Sequence, residues 1–457
     1  MLGTAAWASG ASRRTIDIYH QSGNSVSYPS IASIIESLAE TSLEEARNIV
    51  RTRPHALAYD NINLSTSIFV EQTANMPNKV QSGTFPVVYE LFNANPDDMK
   101  LEPIISRLKN SSPLKMTDLR LCKETLELFN MQSSINITEI LFKYAKGFEY
   151  LTNHQLFNHP ERRVLPKGHK TKFYCLRANT IEEASVQGNI LVHDNIYRDQ
   201  LKIDPDDPIL NTQAIPTIND QLTNARIRGA QVMRAQDISN YECRLIFQIS
   251  FGLFHLVMNF IWGLLQNHRG TINDLGSLSH FFVILEKTRL GGEHPDYHTL
   301  LAALTQIVEG LLLNAWRTEC GLASLGDYAA CKPSPEDVLQ KAQTILKKYA
   351  TPECKQEYAG DPPKLEEHEN HFPSSSTTTP TFNSKPDNVH ANIVLLTRDL
   401  LYVIELVNSI SAGDFGRVED ILPDLACMFR GAGSNNYSTE ILHLLFNIKK
   451  IWTPEFA

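Results

Sequence analysis

The sequence predicts an α+β protein that is mostly helical, with a small mixed sheet and large α-helical insertions. Apolar residues recur at helical spacing through most of the chain, as in YHTLLAALTQIVEGLLLNAW (297–316). Strand-like runs rich in Val, Ile, Tyr and Phe are few, and fall at HALAYDNIN, KVQSGTFPVVYEL and PILNTQAIPTIND. With 457 residues, 42% apolar and 20% charged, the chain can bury sizeable cores and should divide into two or three domains.

Residues 28–50, YPSIASIIESLAETSLEEARNIV, set Ile31, Ile34, Ile35 and Leu38 at helical spacing, and Thr41-Ser42 can open a second helix with Glu44 and Glu45 near its positive end. This helical pair lacks a basic face, so a packing role is expected rather than DNA reading by a helix-turn-helix. The period then changes. HALAYDNIN reads as a strand, and KVQSGTFPVVYEL (79–91) as a second strand or a hairpin with a Ser-Gly turn. Residues 97–150 return to helix, clearest in MTDLRLCKETLELFNM (116–131), with Leu119, Cys122, Leu126 and Phe129 on one side. The stretch 159–173 is the most basic loop, carrying Arg162, Arg163, Lys167, Lys170 and Lys172 against Glu161; it reads as a solvated loop or a phosphate contact.

PILNTQAIPTIND (208–220) is a further strand, followed by helical QLTNARIRGAQVMRAQ. The uncharged run 245–265 is long enough to cross a bilayer, but Gln248, Ser250, His255 and Asn259 would be costly in lipid. Gly252 splits it into a buried strand, LIFQISF, and a buried helix, LFHLVMNFIWGLL. The helix at 297–316 presents a broad apolar face. Residues 355–390, rich in Pro, Ser, Thr and charge, read as a disordered linker, and His368 and His371 within it as solvated side chains. Three helical stretches close the chain: 388–410, 413–429 with Pro423 near its middle, and 436–452 with Ser438 as N-cap and Lys449 and Lys450 at its negative end.

Composition removes several function classes. A formal charge of -9 leaves no bulk electrostatic means of coating nucleic acid, so any such contact must use a local patch. The seven cysteines include no CxxC pair and read as reduced thiols of a nuclear or cytosolic protein, with no zinc site. In MLGTAAWASGASRR the arginines follow the short apolar run, which speaks against a secretory signal. No GxxxxGK[ST], GxSxG or HExxH occurs, and no small-molecule cofactor or membrane association is expected.

Asp60 and Asp220 share one grammar: an apolar strand, an Asp at its carboxyl end, then a polar residue able to turn the chain. Two such carboxylates come within about 4 Å only around a divalent cation, because like charges otherwise raise one pKa and leave a buried anion unpaired. Mg²⁺ or Mn²⁺ meets that need with oxygen ligands, and a cation pair serves phosphoryl transfer. A third carboxylate from a helix would complete the set; Glu440 is the candidate, with Glu419 as runner-up. Arg226 and Arg228 read as partners of a phosphate, of the third carboxylate or of surface acids, His255 as an orienter of water or a core residue, Asn61 and Asn63 as turn formers, and Tyr437 as packing.

The phrases AYDNIN, INDQLTNARIRGAQ, FGLFHLVMNF and GDFGRVEDILPDLACMFRGAGSNNYSTEILHLL, in this order, resemble a family of fungal domains of unknown function abundant in mushroom genomes. That family is in turn similar to cut-and-paste transposases of the DD-E type with a ribonuclease H-like core. The resemblance runs from about Ser25 to Trp452. In such transposases one acid lies on the first strand, one follows the fourth, and one sits on a C-terminal helix, which implies Asp60, Asp220 and Glu440 here. It implies Mg²⁺-dependent strand cleavage and transfer on DNA in the nucleus, with basic contacts from Arg162, Arg163, Lys167, Lys170, Lys172, Arg226 and Arg228, and it admits homo-oligomers.

The implied organisation is a helical segment at 1–54, a first part of the ribonuclease H-like core at 55–92, a helical insertion at 93–205 and a second part of the core at 206–290. A helical insertion follows at 291–354, then the linker at 355–390 and closing helices at 391–457. Two features depart from the pattern: Asn219 stands where related sequences are expected to carry Gly, and the chain begins near the helical pair without an upstream DNA-binding region. Both fit a truncated or inactive copy. The alternative reading is therefore a catalytically silent nucleic-acid- or protein-binding scaffold of the same fold.

Overall fold

A mixed sheet of five strands carries the first half of the fold in the computed structural model, which describes residues 2–65, 80–120, 122–352 and 388–457. The strands are β1 (His55–Ser65), β2 (Val80–Glu90), β3 (Phe173–Cys175), β4 (Ile215–Asn219) and β5 (Phe247–Phe251), in the order β3-β2-β1-β4-β5. β1, β2 and β3 pair antiparallel, whereas β4 runs parallel to β1 and to β5. A parallel neighbour needs a crossover connection, and the helix Gln221–Met233 supplies it between β4 and β5. With helices making up most of the remaining chain, the fold is α+β and mostly helical.

The first strand does not stop at its acid. β1 continues to Ser65, with Asn61 opposite Thr84 and Asn63 opposite Ser82 of β2, so these asparagines extend the ladder instead of turning the chain. Ser82-Gly83 likewise lies inside β2, and no turn forms there. What ends near Asp60 is the pairing with β4, which is less than half as long as β1.

The chain divides into two compact units. The first comprises Met1–Leu119, Pro166–Leu256 and Asn435–Ala457 and holds the whole sheet. In it, residues 28–52 form one continuous helix, Tyr28–Thr52, not a helical pair. Thr41 spends its hydroxyl on the Ser37 carbonyl (2.9 Å), as a mid-helix Thr can, and starts no new helix. Its arginines fasten it to the loops beyond: Arg47 Nε donates to the Gln200 carbonyl at 2.8 Å. Behind the sheet, the helix Val186–Asp194 and the π-helical turn Asn195–Gln200 bury His193 and Tyr197. Arg244 is fully buried there, and its charge is met by Asp194 at 2.7 Å, as a buried cation requires.

The second unit comprises Arg120–Leu165 and Val257–Ser434 and is helical. The helix expected at 116–131 breaks: Met116–Leu119 is a short turn, and Lys123–Tyr144 begins afresh with Cys122 as N-cap. Leu126 is accordingly exposed, and Phe129 stacks on Tyr402 at 4.6 Å. The apolar face of Tyr297–Cys320 is buried as its periodicity predicts, and Trp316 donates its indole N–H to the Ile137 carbonyl (3.0 Å). This helix alone among the described residues is long and apolar enough to cross a membrane, and half of its most apolar window is buried. Arg417 and Glu405 form a buried bidentate pair, both contacts 2.8 Å, and Asn136 donates to the same carboxylate. Pro423 sits within the helix Phe415–Gly431. Most of the run 355–390, with His368 and His371, lies outside the described residues; its last three residues open the helix Asn388–Ala412.

Candidate carboxylate site

Asp60 and Asp220 meet through strand register. Leu57 and Ala58 of β1 pair with Thr217 and Ile218 of β4, and the same offset carried two residues further sets Asp60 opposite Asp220. Neighbouring strands lie about 4.8 Å apart, so the two acids emerge side by side at the carboxyl end of β4. Asp60 is solvent-exposed on its side chain, 58%, with His255 Nε2 4.0 Å from its Oδ2. Asp220 is the N-cap of Gln221–Met233 and accepts from the Thr223 N–H at 2.7 Å. Asn219 directs its amide away from its own strand, accepting from the Tyr59 N–H (3.4 Å) and donating to Asn224 Oδ1 (3.4 Å).

Glu440 belongs to the same unit but is already engaged. It lies on the closing helix, Asn435–Phe446, and is 2% exposed. Arg228 grips both its oxygens, one through Nη1 at 3.1 Å and the other through a short contact from Nη2, and Asn224 Nδ2 donates at 3.3 Å. The helix begins at Asn435, three residues before the expected cap, so Ser438 is an interior residue of its first turn. Tyr437, on that turn, is held above the usual phenol range by burial first, then by the charges of Asp220, Glu440 and Asp60. Its hydroxyl thus senses all three expected acids. The runner-up, Glu419, is in the other unit and pairs with Arg163.

A further acid, Glu183, lies within electrostatic reach of Asp220 and Asp60, and nothing in its periodicity announced it. It is 2% exposed, and neither carboxylate oxygen has a hydrogen-bond partner among the described residues. Burial, then the charges of Asp220 and Asp60, push its pKa up to about 8; the nearby Thr223 hydroxyl and Asn61 N–H only moderate this rise. Its position is fixed by its backbone. Asn189 Nδ2 donates to the Glu183 carbonyl at 2.5 Å while Asn189 Oδ1 accepts from the Tyr59 hydroxyl at 2.8 Å, tying the loop to the residue beside Asp60. Arg226 clamps the next residue, donating to the Ala184 carbonyl at 3.1 Å. Gly188 is required here, because a Cβ on it would lie 2.0 Å from the Glu182 carbonyl.

As the side chains stand, no three carboxylate, imidazole or thiolate groups among the described residues are arranged to hold a metal ion. The donor chemistry nonetheless divides the acids. A guanidinium already neutralises Glu440, whereas neither oxygen of the buried Glu183 has a salt-bridge partner among the described residues. The basic residues also divide. Arg228 takes the third expected carboxylate and Arg226 a backbone carbonyl. Arg162 and Arg163 are met by Asp420 and Glu419, and their N–H groups by Asp414 (2.9 and 2.7 Å), so these arginines are neutralised locally. Lys172 lies 3.5 Å from Glu90, and Lys167 and Lys170 are exposed.

The fold and this site define an α+β protein whose mixed sheet presents paired acids at the end of a parallel strand. Residues 108–457 match a family of unknown function, DUF6589, and the chain belongs to that family. The match includes Glu183, Asp220 and Glu440, while Asp60 precedes it. Comparison with curated proteins and with solved structures gives no match.

Proposed function

We propose that the chain is a transposase-derived, ribonuclease H-like protein that cleaves or transfers DNA strands with Mg²⁺ or Mn²⁺. The observation that carries this reading is the parallel register of β1 and β4, Leu57 with Thr217 and Ala58 with Ile218, whose offset runs on from Asp60 to Asp220. Further support is positional: Asp60 lies on β1, Asp220 directly follows β4, and Glu440 sits on the closing helix, the three places that the resemblance implies. Within this reading Asp60 and Asp220 are the residues that would hold the cation. A divalent cation held there would supply Lewis-acid activation of a phosphate oxygen and of a water or hydroxyl. His255 Nε2 lies 4.0 Å from Asp60 Oδ2, and in this reading it would orient the attacking water. Lys167 and Lys170, both exposed in the sheet-bearing unit, would contact the DNA backbone, and such a protein would act in the nucleus.

Nicking of supercoiled DNA with Mg²⁺ or Mn²⁺ tests it. Loss of a ligand carboxylate costs several kcal/mol of barrier, so Asp60→Asn and Asp220→Asn should each lower the rate by about a thousandfold. Equal rates in wild type and both variants overturn the proposal. A catalytically silent scaffold of the same fold is the second reading, and it is favoured by one observation: Arg228 already occupies Glu440.

A further inference from the structure

We propose that a cavity in the helical unit binds a monocyclic aromatic carboxylate, held by Arg398 at its acid group and by Ser133 at a ring hydroxyl. The site is independent of the strand-cleavage reading, because every residue lining it belongs to the second unit. Three helices enclose it: Lys123–Tyr144, Pro335–Tyr349 with the residues just after it, and Asn388–Ala412. Its volume is about 150 Å³. An apolar cavity of about that size takes one benzene ring, which limits the ligand to a single ring with small substituents.

The walls suit a ring. Phe129 and Tyr402 stack with their centroids 4.6 Å apart and 21° between their planes. The Tyr402 hydroxyl is spent on Asp424 Oδ2 at 2.6 Å, so the stacked pair offers ring carbon to the cavity and no free polar group. Leu346, Ala350 and Leu401 continue the apolar lining. Two polar groups in the lining fix the class of ligand. Ser133 is fully buried, yet its Oγ has no hydrogen-bond partner among the described residues. Hydroxyls inside a helix commonly return to the carbonyl one turn back, as Ser134 does to Asn130 (2.7 Å) and Thr138 to Ser134 (2.9 Å) on the same helix. A buried hydroxyl withheld from that bond costs free energy until another polar group meets it. The half-buried Arg398 gives Nε and Nη2 to one oxygen of Asp399, both at 2.7 Å, while the other oxygen takes His268 at 2.8 Å. Its Nη1 makes no hydrogen bond among the described residues, which leaves the end of the guanidinium fork for a second carboxylate.

Calorimetric titration of the full chain with para-hydroxybenzoate, benzoate and benzamide tests this. Para-hydroxybenzoate should bind at millimolar concentration or below, and benzoate about fivefold more weakly, since it lacks the group that meets Ser133. Benzamide should bind about tenfold more weakly than benzoate, since it brings no charge to Arg398. Ser133→Ala should lower para-hydroxybenzoate to the benzoate affinity and leave benzoate itself within about twofold of wild type. Arg398→Met should lower benzoate to the benzamide affinity, and circular dichroism checks the fold of both variants. Absence of binding by all three compounds at millimolar concentration overturns the proposal and leaves a cavity for water. In the wild-type chain, where no variant has to fold, benzamide binding as tightly as benzoate overturns the carboxylate assignment. Benzoate matching para-hydroxybenzoate there overturns the role given to Ser133. None of these readouts involves DNA or a metal ion, so the outcome is separate from that of the nicking assay.

Discussion

His55 opens β1 as a buried residue, its Nε2 3.4 Å from the Tyr197 hydroxyl, and burial holds its imidazole down to about 4 despite an opposing backbone hydrogen bond at Arg53. An unfolded His titrates near 6.5, so the unfolded chain takes up this proton first as pH falls. The stabilisation is complete above about 6.5 and is lost as pH drops toward 4, roughly 3 kcal/mol from this residue. Urea denaturation at pH 7, 6, 5 and 4 should show it, with His55→Gln giving a shallower acid limb than wild type. His193 is held far below the usual range by burial and acts in the same direction. At Glu440 the balance is between ions. Arg228→Met leaves a buried anion unpaired and should cost about 3 kcal/mol or more, whereas adding Glu440→Gln should recover much of the loss. Chemical denaturation of the single and double variants measures the coupling.

Elements show where local signals hold and where contacts override them. The long apolar periodicity of Tyr297–Cys320 and the Gly252 break between β5 and the helix Leu253–His268 were legible, because burial follows spacing directly. The role of Gly83 inside β2 was not, since the glycine serves a close approach: Asn179 pairs with Thr84 through two hydrogen bonds of 2.9 and 3.0 Å, and a Cβ at Gly83 would sit 2.0 Å from the Asn179 carbonyl. Gly83→Ala should therefore destabilise by about 2–4 kcal/mol. Gly310, exposed on a helix with open space around it, should respond oppositely, with Gly310→Ala adding up to about 1 kcal/mol. Thermal denaturation of the two variants compares the signs. The basic stretch 159–173 illustrates a different failure: composition marks it as a patch, but Asp414, Glu419 and Asp420, more than 250 residues later, neutralise its arginines.

For the whole molecule the cation is the lever. A ligand that binds only the folded state stabilises it by mass action, about 2.7 kcal/mol at a hundredfold excess over its dissociation constant. Mn²⁺ should raise the melting temperature of wild type in a concentration-dependent way, and Asp60→Asn should abolish the shift. Equal shifts in both would place any cation elsewhere in the chain. The second unit, built on satisfied helical packing and the buried Glu405–Arg417 pair, brings no comparable unpaired carboxylate among the described residues, whereas the sheet-bearing unit holds the buried Glu183.

By itself the sequence determined the fold class, the longest helix and most of the strand runs, and the two aspartates worth attention, because those depend on hydrophobic period and on one residue's place along a strand. Only the tertiary structure decided which charges meet. Strand register set Asp60 against Asp220, Arg228 closed on Glu440, and loop restraints from Asn189 and Arg226 left Glu183 buried and unpaired. Electrostatic pairing acts through space over a few ångströms, and no local pattern encodes which distant residues will share that space.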